Sequence, residues 1–326
     1  MSNAVSMAEV WRGPFLESVH RGHAVVCDDT GQIVHAWGDP QATVLPRSSS
    51  KMLQALPLIE SGAADAFGLG TEHLALACAS HNGAAIHTER VAKWLDHLDL
   101  GDDDFRCGPQ EPDDRDARNA LIRAQERPCQ MHNNCSGKHS GFLTLNKHLG
   151  AGPDYVDPDH AVQRACLEAF ERVTGESSPG FGIDGCSAPN FATSLHGMAR
   201  AMAHFAAAPT GSAEERLRTA MTLHPELVAG EGRACTNLMR AMGGKVAIKT
   251  GAEAFFIAII PELKMGVALK IEDGGTRAAE CAIAAILVKL GVLEPDHPET
   301  LKYLNAPIRN RCDLITGAVR AAPALI

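Results

Sequence analysis

The sequence predicts an α/β (α+β) fold, an antiparallel sheet flanked by helices, on three observations. Short apolar and β-branched runs open the chain at residues 16–20, 24–28 and 33–37. A second pair of runs, 255–261 and 266–271, brackets Glu262-Leu263-Lys264 as a hairpin. Between these ends, from about 50 to 240, apolar residues recur mostly at helical spacing. The sheet should therefore come from both ends of the chain, with a mostly helical lobe between them. No repeat, low-complexity stretch or linker divides the sequence, so residues 1–326 are expected to form one unit.

Arg21-Gly22-His23 reads as the first turn and Asp29-Thr30-Gly31 as the second, which makes the opening a β-meander. Gly38-Asp39-Pro40 leads into a serine-bearing helix that runs to about Glu60. Ser61-Gly62 stops it, and 63–67 is a helical turn. Ala75-Leu76-Ala77-Cys78-Ala79 ends at Ser80-His81-Asn82-Gly83, where small residues let a loop approach a site. Residues 87–98 should be helical with Val91 and Trp94 inward, and the acidic stretch 102–116 a surface loop. The polar run 131–140 feeds an apolar helix at 142–148, and so many hydrophilic residues there suggest a buried polar site. A helix at 158–174 precedes a second polar loop, 181–190. Helices follow at 192–208, 214–224 and 235–242, with a break at Ala229-Gly230-Glu231-Gly232. A strand at 245–249 enters Thr250-Gly251-Ala252-Glu253-Ala254. After the hairpin come a long apolar helix at 277–290 and a last strand at 314–319, which should pair with the meander.

Composition narrows the function. Of 326 residues 45% are hydrophobic, ample for a large core. The net charge of −9 and the absence of a basic run argue against nucleic acid and anionic membranes as partners. Aromatics are only 5%, too few for a base-stacking platform. No apolar stretch reaches transmembrane length and no secretory signal opens the chain, so a soluble, cytoplasmic protein is expected. Its ten cysteines should then be reduced thiols or metal ligands.

The chemistry concentrates in Pro46-Arg47-Ser48-Ser49-Ser50-Lys51. Ser48 and Lys51 are three apart and share a helical face. A neutral lysine there can take the serine proton. Ser48 as a plain N-cap beside a solvated Lys51 is the non-catalytic alternative. Two companions favour catalysis: Ser80-His81-Asn82 and Lys249-Thr250-Gly251 complete, in order, the motif set of serine acyl-transfer enzymes of the β-lactamase and penicillin-binding-protein type. Cys135 and Cys186 are soft ligands suited to zinc, or else buried free thiols. From ligand chemistry alone, His132 or His139 would be the third.

Five stretches carry a closer resemblance: Arg47-Ser48-Ser49-Ser50-Lys51, Ala79-Ser80-His81-Asn82-Gly83, Asn133-Asn134-Cys135-Ser136-Gly137-Lys138-His139, Gly182-Ile183-Asp184-Gly185-Cys186 and Lys249-Thr250-Gly251-Ala252-Glu253. In this order they resemble the Rhizobium etli-type, or class 3, L-asparaginases, over nearly the whole chain. The resemblance implies a serine β-lactamase-like fold, homodimers, hydrolysis of L-asparagine to L-aspartate and ammonia, two Ser-Lys tandems and a zinc site. Carried over, Ser48 pairs with Lys51 and Ser80 with a later lysine. Lys249 fits that place better than Lys264, which falls in a hairpin turn. The resemblance makes Cys135, Lys138 and Cys186 the zinc ligands.

The expected catalytic set is therefore Ser48, Lys51, Ser80 and Lys249. Lys249 would be the second cation that lowers the pKa of Lys51. Which serine attacks stays open. Arg47 is a candidate for the substrate carboxylate, Asp184 for its amine or the metal, His139 for orienting either, and Glu253 for supporting them. A glutaminase, esterase or peptidase on the same fold is the nearest alternative. A penicillin-binding protein and a zinc-stabilised, non-catalytic binding protein are the others.

Overall fold

The computed structural model describes residues 3–326. One eight-stranded antiparallel sheet runs in the order Ala306–Arg309, Ile315–Ala321, Val5–Arg12, Phe15–Cys27, Met265–Ile271, Phe255–Ile260, Ala247–Gly251. The eighth strand, Ile33–Trp37, pairs with the second half of Phe15–Cys27. The α/β class with an antiparallel sheet flanked by helices is thus what the chain adopts. The sheet draws on both ends of the sequence, and the last strand pairs with the first at Val10↔Val319.

The meander differs in its strands. Residues 16–20 and 24–28 are not two strands joined by a turn but lie on one, Phe15–Cys27. Gly22 is no turn residue: a Cβ on it would lie 2.2 Å from the Lys270 carbonyl oxygen on the neighbouring strand. The glycine serves a close approach of two backbones. The meander's true first strand is Val5–Arg12.

Phe255–Ile260 is buried at every residue, as expected of a strand covered on both faces. Helices Leu195–Ala207 and Thr276–Lys289 pack on the sheet, the first over Phe15–Cys27 and Met265–Ile271, the second over Val5–Arg12 and Ile315–Ala321. Ser194 caps the first of these by accepting from the Gly197 N–H. The lobe between holds the remaining helices, among them Ala85–His97, Ser136–Leu149 and Ala161–Thr174. Ser136–Leu149 is buried from Ser136 to Leu145, six residues earlier than the apolar pattern suggests, so the polar run is itself helical. The second polar loop is a small hairpin, Phe181–Ile183 against Pro189–Phe191. No helix among the described residues is long and apolar enough to cross a membrane.

Candidate active site

The serine stretch is not one helix. Arg47–Ser50 is a 3-10 turn, followed by Lys51–Gln54 and, after Ala55, Leu56–Glu60. Arg47 starts it in the left-handed region at φ 52°. Asn190 Oδ1 accepts from the Arg47 N–H at 3.2 Å, and the Ser50 hydroxyl donates to its carbonyl at 2.9 Å. The turn lies against the Lys-Thr-Gly strand: Ser49 Oγ donates to the Lys249 carbonyl at 3.0 Å. A Cβ on Gly251 would come within 2.6 Å of the Pro46 carbonyl oxygen, so this contact needs glycine.

Lys51 is buried, and its Nζ points to the loops rather than to water. It donates to Ser80 Oγ at 2.8 Å and to the Ala79 carbonyl at 2.5 Å, and it lies 3.1 Å from Cys135 Sγ. Ser48 is partly exposed and its hydroxyl makes no hydrogen bond with the other described residues; nor does it cap a helix. The structure therefore joins Lys51 to Ser80 by hydrogen bond and leaves the Ser48 hydroxyl without a hydrogen-bond partner among the described residues.

Lys249 is fully buried and donates to the Thr250 carbonyl at 2.8 Å. Burial pushes its ammonium down to about 7; the Cys235 thiol opposes the shift, and the charge of Lys51 adds to it. It is thus Lys249 that is driven toward its neutral form. Lys264 sits exposed in the hairpin turn, 3.6 Å from Asp29.

Beside Lys51 lies the sulfur cluster. Lys138 Nζ is 3.2 Å from Cys186 Sγ and 5.1 Å from the centre of the Phe142 ring. A hydrogen bond from the Cys135 thiol holds Cys186 well below the usual thiol range against the cost of burial, with help from Lys138 and His139. The same bond, then burial, pushes Cys135 well up. Burial works against the charge of Lys138, but the two sulfurs outweigh it and keep it above the ordinary lysine value. His139 is fully buried; its Nδ1 meets the Tyr155 hydroxyl at 2.9 Å, and its Nε2 has no aligned partner among the described residues. His132 turns elsewhere, to the Cys129 N–H and Sγ at 3.1 and 3.2 Å.

Arg47 grips Asp184: Nε and Nη2 both reach Oδ1, at 2.9 and 2.6 Å. With Glu253, itself left-handed at φ 58°, Arg47 lines an open cleft of about 810 Å³ that also meets His23 and Lys270. Ser48, Lys51, Ser80 and Lys249 do not line this cleft. Sequence reasoning missed His81, whose ring meets Ser136 Oγ at 2.9 Å. The middle position of Ser80-His81-Asn82 gave no sign of that role.

A buried lysine on a serine hydroxyl, beside a Lys-Thr-Gly strand, is a set of groups suited to acyl transfer. The chain belongs to the L-asparaginase II family, whose model matches residues 8–321, and is accordingly an amidohydrolase of the L-asparaginase type. Among curated proteins no relative matches it. Solved structures similar to it include Mglu in its native form, 13% identical over 90% of this chain and 70% of that one, with a TM-score of 0.48. A β-lactamase from Mycobacterium bovis is 12% identical over 82% of this chain and 94% of that one, at 0.47. The octameric penicillin-binding protein homologue from Pyrococcus abyssi is 13% identical over 85% and 74%, at 0.34. Likenesses this distant say nothing of activity.

Proposed function

We propose that this protein hydrolyses L-asparagine to L-aspartate and ammonia through an acyl-enzyme on Ser48. The observation that carries the reading is the buried contact of Lys51 Nζ with Ser80 Oγ, with the Ser48 hydroxyl, three residues before Lys51 in sequence, left without a hydrogen-bond partner among the described residues. Ser48 Oγ attacks the side-chain amide carbon, and its proton passes to the amine of Lys51. The oxyanion rests on backbone N–H groups of the serine turn and of the strand beyond Lys249. Collapse breaks the C–N bond; Lys51 and Ser80 relay the proton to the leaving amine, which departs as ammonia. Water then attacks the ester and gives its proton to the same base, releasing aspartate and restoring Ser48. Arg47 would take the substrate carboxylate and Asp184 its amine, each exchanging its present partner, the other, for the substrate.

Among the described residues no group of three His, Cys, Asp or Glu is placed to hold a metal. The set at hand is two cysteines and a lysine, and it suits zinc. Two sulfurs and an amine converge, and the 3.2 Å between Lys138 Nζ and Cys186 Sγ is near the roughly 3.6 Å edge of a zinc tetrahedron with an S and an N ligand. Cys135, Lys138 and Cys186 would hold the ion, Lys138 losing its proton to do so. Zinc there would supply a Lewis-acidic point for orienting a polar end of the substrate. The ten free cysteines, eight of them buried, fit a reducing cytoplasm, and we take the working unit to be a homodimer.

Ammonia release from L-asparagine and L-glutamine, with and without a chelator, is the test. Expected are turnover of asparagine, its loss in Ser48→Ala and Ser80→Ala, and less zinc in Cys135→Ser. Near-native turnover in either serine variant removes that residue from the mechanism. Full zinc in Cys135→Ser places the metal elsewhere.

A further inference from the structure

The catalytic loop and the sulfur cluster reach Lys51 from different parts of the chain, yet Lys51 needs both in register. Ser80 follows the end of helix Thr71–Ala77, whereas Cys135 precedes helix Ser136–Leu149. One side chain bridges the two segments. His81 is 1% exposed, and its main-chain N–H donates to the Asn134 carbonyl at 3.1 Å. Its ring Nδ1 accepts from the Gly83 N–H at 3.2 Å, which leaves the proton on Nε2. Nε2–H then donates to Ser136 Oγ at 2.9 Å, and Ser136 donates onward to the Met131 carbonyl at 2.9 Å. Every hydrogen in this chain has one direction.

The ring is also clamped from its face. His87 stacks on it with centroids 4.7 Å apart and planes 8° from parallel, and is itself tied through Nε2 to the Glu226 carbonyl at 2.9 Å. Each end of the bridge is one residue from a partner of Lys51: Ser80 precedes His81, and Cys135 precedes Ser136.

We propose that His81 is a positioning residue for amide hydrolysis, holding the Ser80 hydroxyl and the Cys135 sulfur at fixed distance around Lys51 through its bond to Ser136. The inference rests on the acyl-transfer reading of Ser48, Lys51 and Ser80. It adds a residue that touches neither the substrate nor the reacting atoms. Burial, then the neighbouring His87, Lys51, His132 and Lys249, keeps the ring neutral, the state in which its Nδ1 accepts and its Nε2 donates. A small shift of a positioned group costs a large part of a rate advantage built on alignment.

The test is a four-member set: Ser136→Ala, His81→Gln, His81→Phe and the double variant His81→Phe with Ser136→Ala. The neutral Gln amide can donate from about the place of Nε2, whereas Phe cannot. Expected are a fall of about tenfold or more in kcat for Ser136→Ala and His81→Phe, with KM within about twofold. His81→Gln should recover part of the loss, and the double variant should be no worse than His81→Phe. If His81→Phe does not fold, Ser136→Ala and His81→Gln still carry the comparison. A readout independent of turnover is the imidazole Nε2 proton of His81 in a histidine-labelled sample. It should be protected from exchange in the wild type and lose protection in Ser136→Ala. Native kcat in Ser136→Ala, additive losses in the double variant, or an unprotected Nε2 proton in the wild type would overturn the proposal. Wild-type protein that leaves asparagine intact while its Nε2 proton is protected would refute the function and not the bridge.

Discussion

Lys51 Nζ lies 2.8 Å from Ser80 Oγ and 3.1 Å from Cys135 Sγ, so one buried amine joins the Ser80 loop to the sulfur cluster. Ser48, three residues before it, supplies the free hydroxyl. Replacing Lys51 with Met keeps most of the apolar stem and removes the amine bonded to Ser80 that the proposed mechanism uses to move a proton between the two serines. Turnover of asparagine should fall by about a thousandfold or more, with KM much less affected. Steady-state ammonia release checks this, and a melting curve separates lost chemistry from lost fold. A Lys51→Met enzyme with native kcat removes the lysine from the proton path.

Lys249 gives the fold a pH dependence of definite sign. Its pKa falls from the ordinary lysine value to about 7, chiefly through burial, so between about 7 and that ordinary value the unfolded chain binds a proton that the folded chain does not. Stability contributed at this site therefore rises with pH across that window, and the penalty of the buried charge is complete below about 7. Lys249→Met abolishes the titration. Urea midpoints taken from pH 6.5 to 9 should climb more steeply for the wild type than for the variant, and the variant should be the more stable at the acid end. Parallel pH profiles would mean that Lys249 does not titrate in this range. Activity should be lost in the variant at every pH.

Ser-x-x-Lys spacing singled out Ser48 and Lys51 but not the contact Lys51 makes, because the 3-10 turn at Arg47–Ser50 replaces the helix the spacing assumed. The partner of Lys51 lies 29 residues on, and no local pattern encodes that. Strands with unbroken apolar runs, such as Phe255–Ile260, were legible. Val5–Arg12 was not, since register shifts between Ser6 and Ala8 and between Val10 and Trp11 break its alternation. Helix Arg115–Ala124, which starts at the end of the expected loop 102–116 and buries no residue, was not expected. Gly22 misled for a physical reason: glycine marks a turn and a close strand contact alike.

Gly251 ends the Lys-Thr-Gly strand under the serine turn. An added methyl there would lie 2.6 Å from the Pro46 carbonyl oxygen and 3.1 Å from the Ser49 nitrogen, both of them backbone. The turn must move away, and Ser48 with it. Gly251→Ala should therefore lose about a hundredfold in kcat while melting only a few degrees lower, because the sheet and its covering helices are untouched. Activity near the wild type would show that the turn tolerates displacement and that Ser48 is not held by this contact.

Arg47 couples strain to recognition. Its φ of 52° costs a non-glycine residue about 1 kcal/mol, and the Asn190 side chain and the Ser50 hydroxyl hold it there. The conformation sends the guanidinium to Asp184, which two nitrogens grip through one oxygen. Lysine keeps the charge but not the paired donors. Arg47→Lys should raise KM for asparagine about tenfold or more with a smaller change in kcat. Asp184→Asn should do the same, and the double variant should be less than additive, since each change breaks the same pair. Arg47→Gly separates backbone from side chain: glycine adopts the left-handed turn freely, so the protein should melt no lower, yet KM should rise as in Arg47→Lys. If Arg47→Gly binds asparagine normally, the guanidinium serves only the turn, and the substrate carboxylate is held by another group.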